Sequence, residues 1–155
     1  MPNRRFARAL EIGCSIGVFT RAFAALCDAL VAIDISALPL AAARKRCSDL
    51  SHVGFQQRAV PAQFPAGTFD LILLSEVLYF LDAFDIAVFS ACVSKSVQPG
   101  GHVMLVNWLG STDGPCSGDE AAQLFIATSA SALATASHVR TPYYRLDLLT
   151  KDDRS

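Results

Sequence analysis

The sequence predicts an α/β fold, a three-layer, doubly wound domain around a mostly parallel sheet. Apolar runs of strand length alternate with segments of helical period, the pattern of parallel strands covered by helices. The run Phe69-Asp70-Leu71-Ile72-Leu73-Leu74-Ser75 is almost wholly apolar, as a strand buried on both faces must be. A glycine turn stands where the first strand meets the first helix. At 155 residues the chain suits one domain, 1–155.

The elements follow in order. Residues 8–12 form the first strand, closed by Gly13, and a helix is expected over 17–29 because Phe19, Phe23, Leu26 and Leu30 recur at threes and fours. The second strand, 30–35, carries Asp34 near its end; Ser36 can cap a helix over 38–50 that tolerates Pro39 in its first turn. A third strand spans 53–57, then Pro61, Pro65 and Gly67 punctuate a loop before the fourth at 69–75. A helix over 83–97 is stopped by Pro99-Gly100-Gly101, and 102–108 makes the fifth parallel strand. After a loop at 110–118, a helix over 119–130 precedes two strands, 134–140 and 143–150, separated by Thr141-Pro142 and able to pair as an antiparallel hairpin at the sheet edge.

Hydrophobic residues make up 52% and charged residues 17%, a balance that excludes disorder and predicts some uncovered apolar surface. With 13 basic and 14 acidic side chains, net charge -1, there is no electrostatic footprint for nucleic acid or an anionic membrane. Cys14, Cys27, Cys47, Cys92 and Cys116 form no C-x-x-C pair and lie at no metal-ligand spacing, so no metal is expected and they read as buried thiols of a cytoplasmic protein. No apolar run reaches membrane-spanning length, which disfavours secretion or insertion.

The segment carrying chemistry is Glu11-Ile12-Gly13-Cys14-Ser15-Ile16-Gly17. Ligands of open parallel sheets sit beyond the carboxyl ends of the strands, and a glycine turn there lets a ligand approach bare backbone. Asp34 follows Gly13 by 21 positions, where a carboxylate can accept hydrogen bonds from ribose hydroxyls. A pyrophosphate site would need glycines at 13, 15 and 18, but Ser15 and Val18 occupy two of these, so an NAD(P)-dependent oxidoreductase is the weaker alternative.

The E-x-G-x-x-x-G form resembles the first motif of Rossmann-like (class I) S-adenosylmethionine-dependent methyltransferases. FDLILLSEVLYFL (69–81) and QPGGH (98–102) resemble the fourth and fifth motifs, in the right order. Through LEIGCSIGVFT, VAIDIS, FDLILLSEVLYFL and PGGHVMLVNW the chain is similar to the nodulation protein S group of methyltransferases.

That resemblance implies S-adenosylmethionine as cofactor and methyl transfer to a small acceptor, an amino-sugar nitrogen of an oligosaccharide in the named members. It implies a cofactor-binding core over 8–108 and an acceptor-side loop, helix and edge strands over 109–155. Glu11, Gly13, Cys14, Ser15 and Gly17 would line the methionine and ribose side, and Asp34 with Ile35 would hold ribose and adenine. Ala59 and Val60 would follow on the adenine side, Ala59 standing where the group usually has an acid. Ser75, Glu76 and Tyr79 would face the transferring methyl, with Glu76 or Tyr79 as base or acceptor-orienting group. Asn107-Trp108, ending the fifth strand, could touch the acceptor, whereas His52, His102 and His138 read as structural or surface residues. The group usually carries helices before the first strand, and here about seven residues precede it, so the fold is expected to be N-terminally shortened. A degenerate cofactor-binding domain without catalysis is the alternative reading.

Overall fold

The computed structural model describes residues 4–153. Seven strands form one sheet in the order β3-β2-β1-β4-β5-β7-β6. The parallel half comprises β1 (Ala9–Ile12), β2 (Leu30–Asp34), β3 (Val53–Gln57), β4 (Phe69–Ser75) and β5 (Val97–Trp108). The last two strands, β6 (Leu133–Arg140) and β7 (Tyr144–Lys151), pair antiparallel, and β7 runs antiparallel to β5. Five parallel strands and a C-terminal hairpin are thus the expected layout, with the hairpin inserted so that β6 takes the edge.

Helices α1 (Val18–Ala24) and α2 (Ala37–Arg46) follow β1 and β2; α3 (Ala83–Ser96) and α4 (Gly118–Ser129) pack together on the other half of the sheet. The main core lies between α3, α4 and the strands, with Phe89 and Phe125 edge-to-face at 6.2 Å against Ile72, Leu74, Val103 and Leu105. Burial alternates along β5: Val103, Leu105 and Asn107 are buried, while His102, Met104 and Val106 are only partly covered. Pleating aims the second set at the opposite face. There Met104 borders a groove shared with Phe19 and Phe23 of α1, and Leu146 of β7 stays 36% exposed. That is the uncovered apolar surface the composition foreshadows.

Three boundaries differ from the sequence pattern by more than one residue. Helix α1 ends at Ala24, not 29, because Cys27 is drawn into a parallel bridge with Phe6, whose N–H donates to the Leu26 carbonyl at 2.8 Å. Helix α2 stops at Arg46, four residues early, in a turn where Asp49 pairs with Arg21 of α1. Strand β5 begins at Val97, so Pro99-Gly100-Gly101 sits inside the strand, where its pairing with β4 changes register, instead of merely ending the helix. Lys151 anchors that irregular start by donating to the Ser94 and Val97 carbonyls.

Candidate functional site

Strand β1 ends at Ile12, and the chain then turns sharply through Gly13 at φ +89° and Ser15 at φ +47°. A Cβ on Gly13 would fall 2.2 Å from the Ser75 carbonyl oxygen of β4, so the turn closes onto that strand only because the side chain is missing. Gly17, at φ +76°, caps α1, and a Cβ there would come within 2.9 Å of Ala43 in α2. The first glycine permits the approach of two strand ends; the second permits the approach of two helices.

Asp34, half-buried at the end of β2, fastens the turn. One carboxylate oxygen accepts the Ser15 backbone N–H at 2.9 Å and the other accepts the Ser36 backbone N–H at 2.9 Å. Each oxygen keeps a further lone pair for a ligand. The Asp34 carbonyl accepts the Arg58 N–H at 3.0 Å, and the Gln57 side-chain amide donates to the Ile35 carbonyl at 3.0 Å, tying the ends of β2 and β3 together.

Beyond these strand ends lies a cleft of about 640 Å³. Gly13, Ser15, Asp34, Ile35, Val60, Ser75, Glu76 and Tyr79 all line it. Glu11, Cys14, Gly17 and Ala59 do not. Glu11 is buried behind the turn with its Oε2 unpaired; burial pushes its carboxyl up to about 7, the Thr20 hydroxyl opposing and the Asp34 charge adding to the shift. Cys14 packs with Ala32 and Leu40, and burial pushes its thiol up to about 12, which makes it inert as a nucleophile. Ala59 instead closes the turn after β3, its N–H donating to the Gln63 side chain at 2.8 Å.

The end of β4 continues the wall that the Gly13 turn begins. Glu76 adopts φ +57°, its N–H donating to the Val106 carbonyl at 2.9 Å. Its Oε2 accepts both the Tyr79 hydroxyl at 2.7 Å and the Trp108 backbone N–H at 3.0 Å. Tyr79 lies in a single 3-10 turn at Leu78–Phe80 that the sequence pattern does not show. Burial, the hydrogen bond to Glu76 and the charge of Glu76 all raise the Tyr79 phenol above its ordinary value, so it stays a proton donor.

Several lining residues escape the motif reading. Ser36, read as a helix cap, makes no side-chain cap bond; its contribution is its backbone N–H to Asp34. Arg58, Val77, Phe80 and Leu81 also face the cleft. Arg58 directly follows β3, and the rule that ligands gather at carboxyl strand ends could have marked it. The histidines lie elsewhere: His52 bonds the Ala24 carbonyl, His138 meets Asp147 at 2.8 Å, and His102 meets Arg4 at 2.7 Å.

A glycine turn, a carboxylate gripped by two backbone N–H groups and a cleft across the strand ends define the nucleoside-binding class of doubly wound α/β domains. The chain belongs to the methyltransferase domain family, whose model matches residues 10–105. Nodulation protein S of Sinorhizobium fredii (strain NBRC 101917 / NGR234) is 35% identical over 99 residues, which is 62% of this chain and 45% of that protein. The chain thus matches less than half the length of this curated relative. The fold is that of N-methyltransferase NodS from Bradyrhizobium japonicum WM9, solved with S-adenosyl-l-homocysteine, at TM-score 0.81 and 23% identity over 95% of this chain and 79% of that one. A Pseudomonas syringae protein assigned to the methyltransferases is 30% identical at TM-score 0.80, with 97% of this chain and 91% of that chain covered. Among the described residues no helix is long and apolar enough to cross a membrane.

Proposed function

We propose that this chain binds S-adenosylmethionine in the cleft and transfers its methyl group to a small acceptor, the amino nitrogen of an amino sugar or its oligomer. The observation that carries the reading is Asp34, fixed by Ser15 and Ser36 with lone pairs left over, opposite the bare Gly13 backbone. The residues present fit a nucleoside with a short charged tail. Asp34 would accept the ribose hydroxyls, Ile35 and Val60 would flank the adenine, and Gly13, Ser15 and Ser75 would pass the methionine portion. Glu11, Cys14, Gly17 and Ala59 would act from behind, by shaping the backbone of the turn and the end of β3.

When bound, S-adenosylmethionine supplies a methyl group on a sulfonium, already a good leaving group. The residues of the chain have only to hold the acceptor nitrogen in line, and positioning of this kind is worth about 7 to 11 kcal/mol. Glu76 Oε2 is spent on Tyr79 and Trp108, so its Oε1 is the oxygen left to receive a proton from an acceptor ammonium. Tyr79, held protonated, orients that carboxylate.

The amino-sugar acceptor is what the resemblance to the nodulation protein S group implies, and a nitrogen as the methylated atom agrees with the N-methyltransferase NodS that shares the fold. The test is tritium transfer from labelled S-adenosylmethionine to a fully de-N-acetylated glucosamine tetramer, with S-adenosylhomocysteine as competitor. Incorporation into the tetramer supports the reading. Cofactor binding without transfer to any amine-bearing acceptor supports a non-catalytic domain, and protection by NADH alone overturns both.

A further inference from the structure

We infer that Asn107 is an acceptor-binding residue, its carboxamide forming hydrogen bonds with a polar group next to the nitrogen that is methylated. This rests on the methyl-transfer reading above. Asn107 is fully buried, yet neither its side-chain oxygen nor its nitrogen has a hydrogen-bond partner. A buried amide without partners is costly, and an apolar residue of the same shape would fill the space at no such cost.

The surroundings explain why nothing in the chain satisfies it. Arg145, directly across on β7, spends its guanidinium on Asp147 and Asp119. Gly118, the first residue of α4, closes over Asn107, where even a Cβ would meet the Trp108 carbonyl at 2.0 Å and the Asn107 Cβ at 3.2 Å. Two donors and an acceptor are therefore held dry at the end of β5. They lie one residue from Trp108, whose N–H binds the Glu76 carboxylate of the cleft.

The 109–117 loop leads from the end of β5 to Gly118, the residue that seals this place. Gly114 packs so tightly on the 3-10 turn that a Cβ would lie 1.8 Å from the Tyr79 carbonyl oxygen. The loop is held by the Thr112 hydroxyl donating to the Cys116 carbonyl, by the Ser117–Glu120 capping box at the start of α4, and by a long thiol contact from Cys116 to the Leu81 carbonyl at 3.7 Å. Movement of this loop off Tyr79, carrying Gly118 at the start of α4 with it, would expose Asn107 beside Glu76 and Tyr79, joining a neutral donor-acceptor group to a carboxylate and a phenol. An acceptor carrying a hydroxyl or amide beside its amine matches that set.

The experiment compares the intact wild-type chain with Asn107→Leu and, as a smaller replacement, Asn107→Ser. It follows thermal unfolding, S-adenosylhomocysteine affinity, the side-chain amide resonances of 15N-labelled protein, and transfer to the glucosamine tetramer. The inference expects Asn107→Leu to melt at or above the wild-type temperature and to bind S-adenosylhomocysteine within twofold. It expects transfer to fall at least tenfold, mainly through KM, and the tetramer to shift the Asn107 amide resonance of the wild-type protein. Asn107→Ser should recover part of the transfer. A lower melting temperature with an unchanged KM makes Asn107 a structural residue and overturns the inference, as does a tetramer that leaves its resonance unmoved. Failure of the wild-type chain to bind S-adenosylhomocysteine is a different result, which overturns the functional reading itself.

Discussion

The Gly13 Cα lies so close to the Ser75 carbonyl that a methyl group placed on it would sit 2.2 Å from that oxygen. The turn after β1 and the end of β4 are therefore one wall of the cleft, and only glycine lets them touch. Gly13→Ala should cost roughly 2 to 5 kcal/mol, from overpacking plus the left-handed backbone, and weaken S-adenosylhomocysteine binding in whatever remains folded. Gly17→Ala meets Ala43 instead, away from the cleft. It should lower the melting temperature while the folded protein binds with near wild-type affinity. Equal loss of affinity in both variants, measured by calorimetry, would show that the two glycines do not have separate tasks.

The buried Glu11 gives stability a pH dependence. Its folded pKa of about 7 lies above its ordinary 4.5. Below 4.5 the group is protonated in both states and costs nothing; between 4.5 and about 7 the unfolded chain ionises first, so stability falls as pH rises. The loss is on the order of 3 kcal/mol once pH exceeds 7. Glu11→Gln should match wild type near pH 4.5, gain on it steadily up to about pH 7 and then level off, with a melting temperature several degrees higher at pH 8. A difference that stays constant across this range would contradict the burial account.

The Glu76 and Tyr79 pair predicts a graded loss. Glu76→Gln removes the proton acceptor and should reduce turnover by about 10²- to 10⁴-fold, with S-adenosylhomocysteine affinity little changed. Tyr79→Phe removes one of two hydrogen bonds to the same carboxylate oxygen and should cost about tenfold, the scale of a charged hydrogen bond. Initial rates with the glucosamine tetramer decide this, and two variants as active as wild type would remove both residues from the chemistry.

Most of this fold could be read along the chain because parallel strands buried on both faces must be apolar, as Leu71 to Leu74 are. The glycine turn and Asp34 were legible for a related reason: the topology forces them to one sheet edge. What pattern could not show was nonlocal. Phe6 shortens α1 by pairing with Cys27, and Lys151 pins the irregular start of β5 from the other end of the chain. The 3-10 turn at Leu78–Phe80 is too short to leave a period. Glu11 and Cys14 belong to the motif by spelling, yet strand pleat and turn geometry send their side chains away from the cleft. Residues that build the turn and residues that face the cleft share one motif, and the fold divides them.

The central claim is that Asp34, held by Ser15 and Ser36, receives a ribose in this cleft. Calorimetric titration of S-adenosylhomocysteine into wild type and Asp34→Asn tests it most directly. The account predicts one ligand per wild-type chain and an affinity about 10- to 100-fold weaker in the variant, the value of a charge-assisted hydrogen bond or two. No binding to the wild-type chain, or equal binding to both, would contradict it.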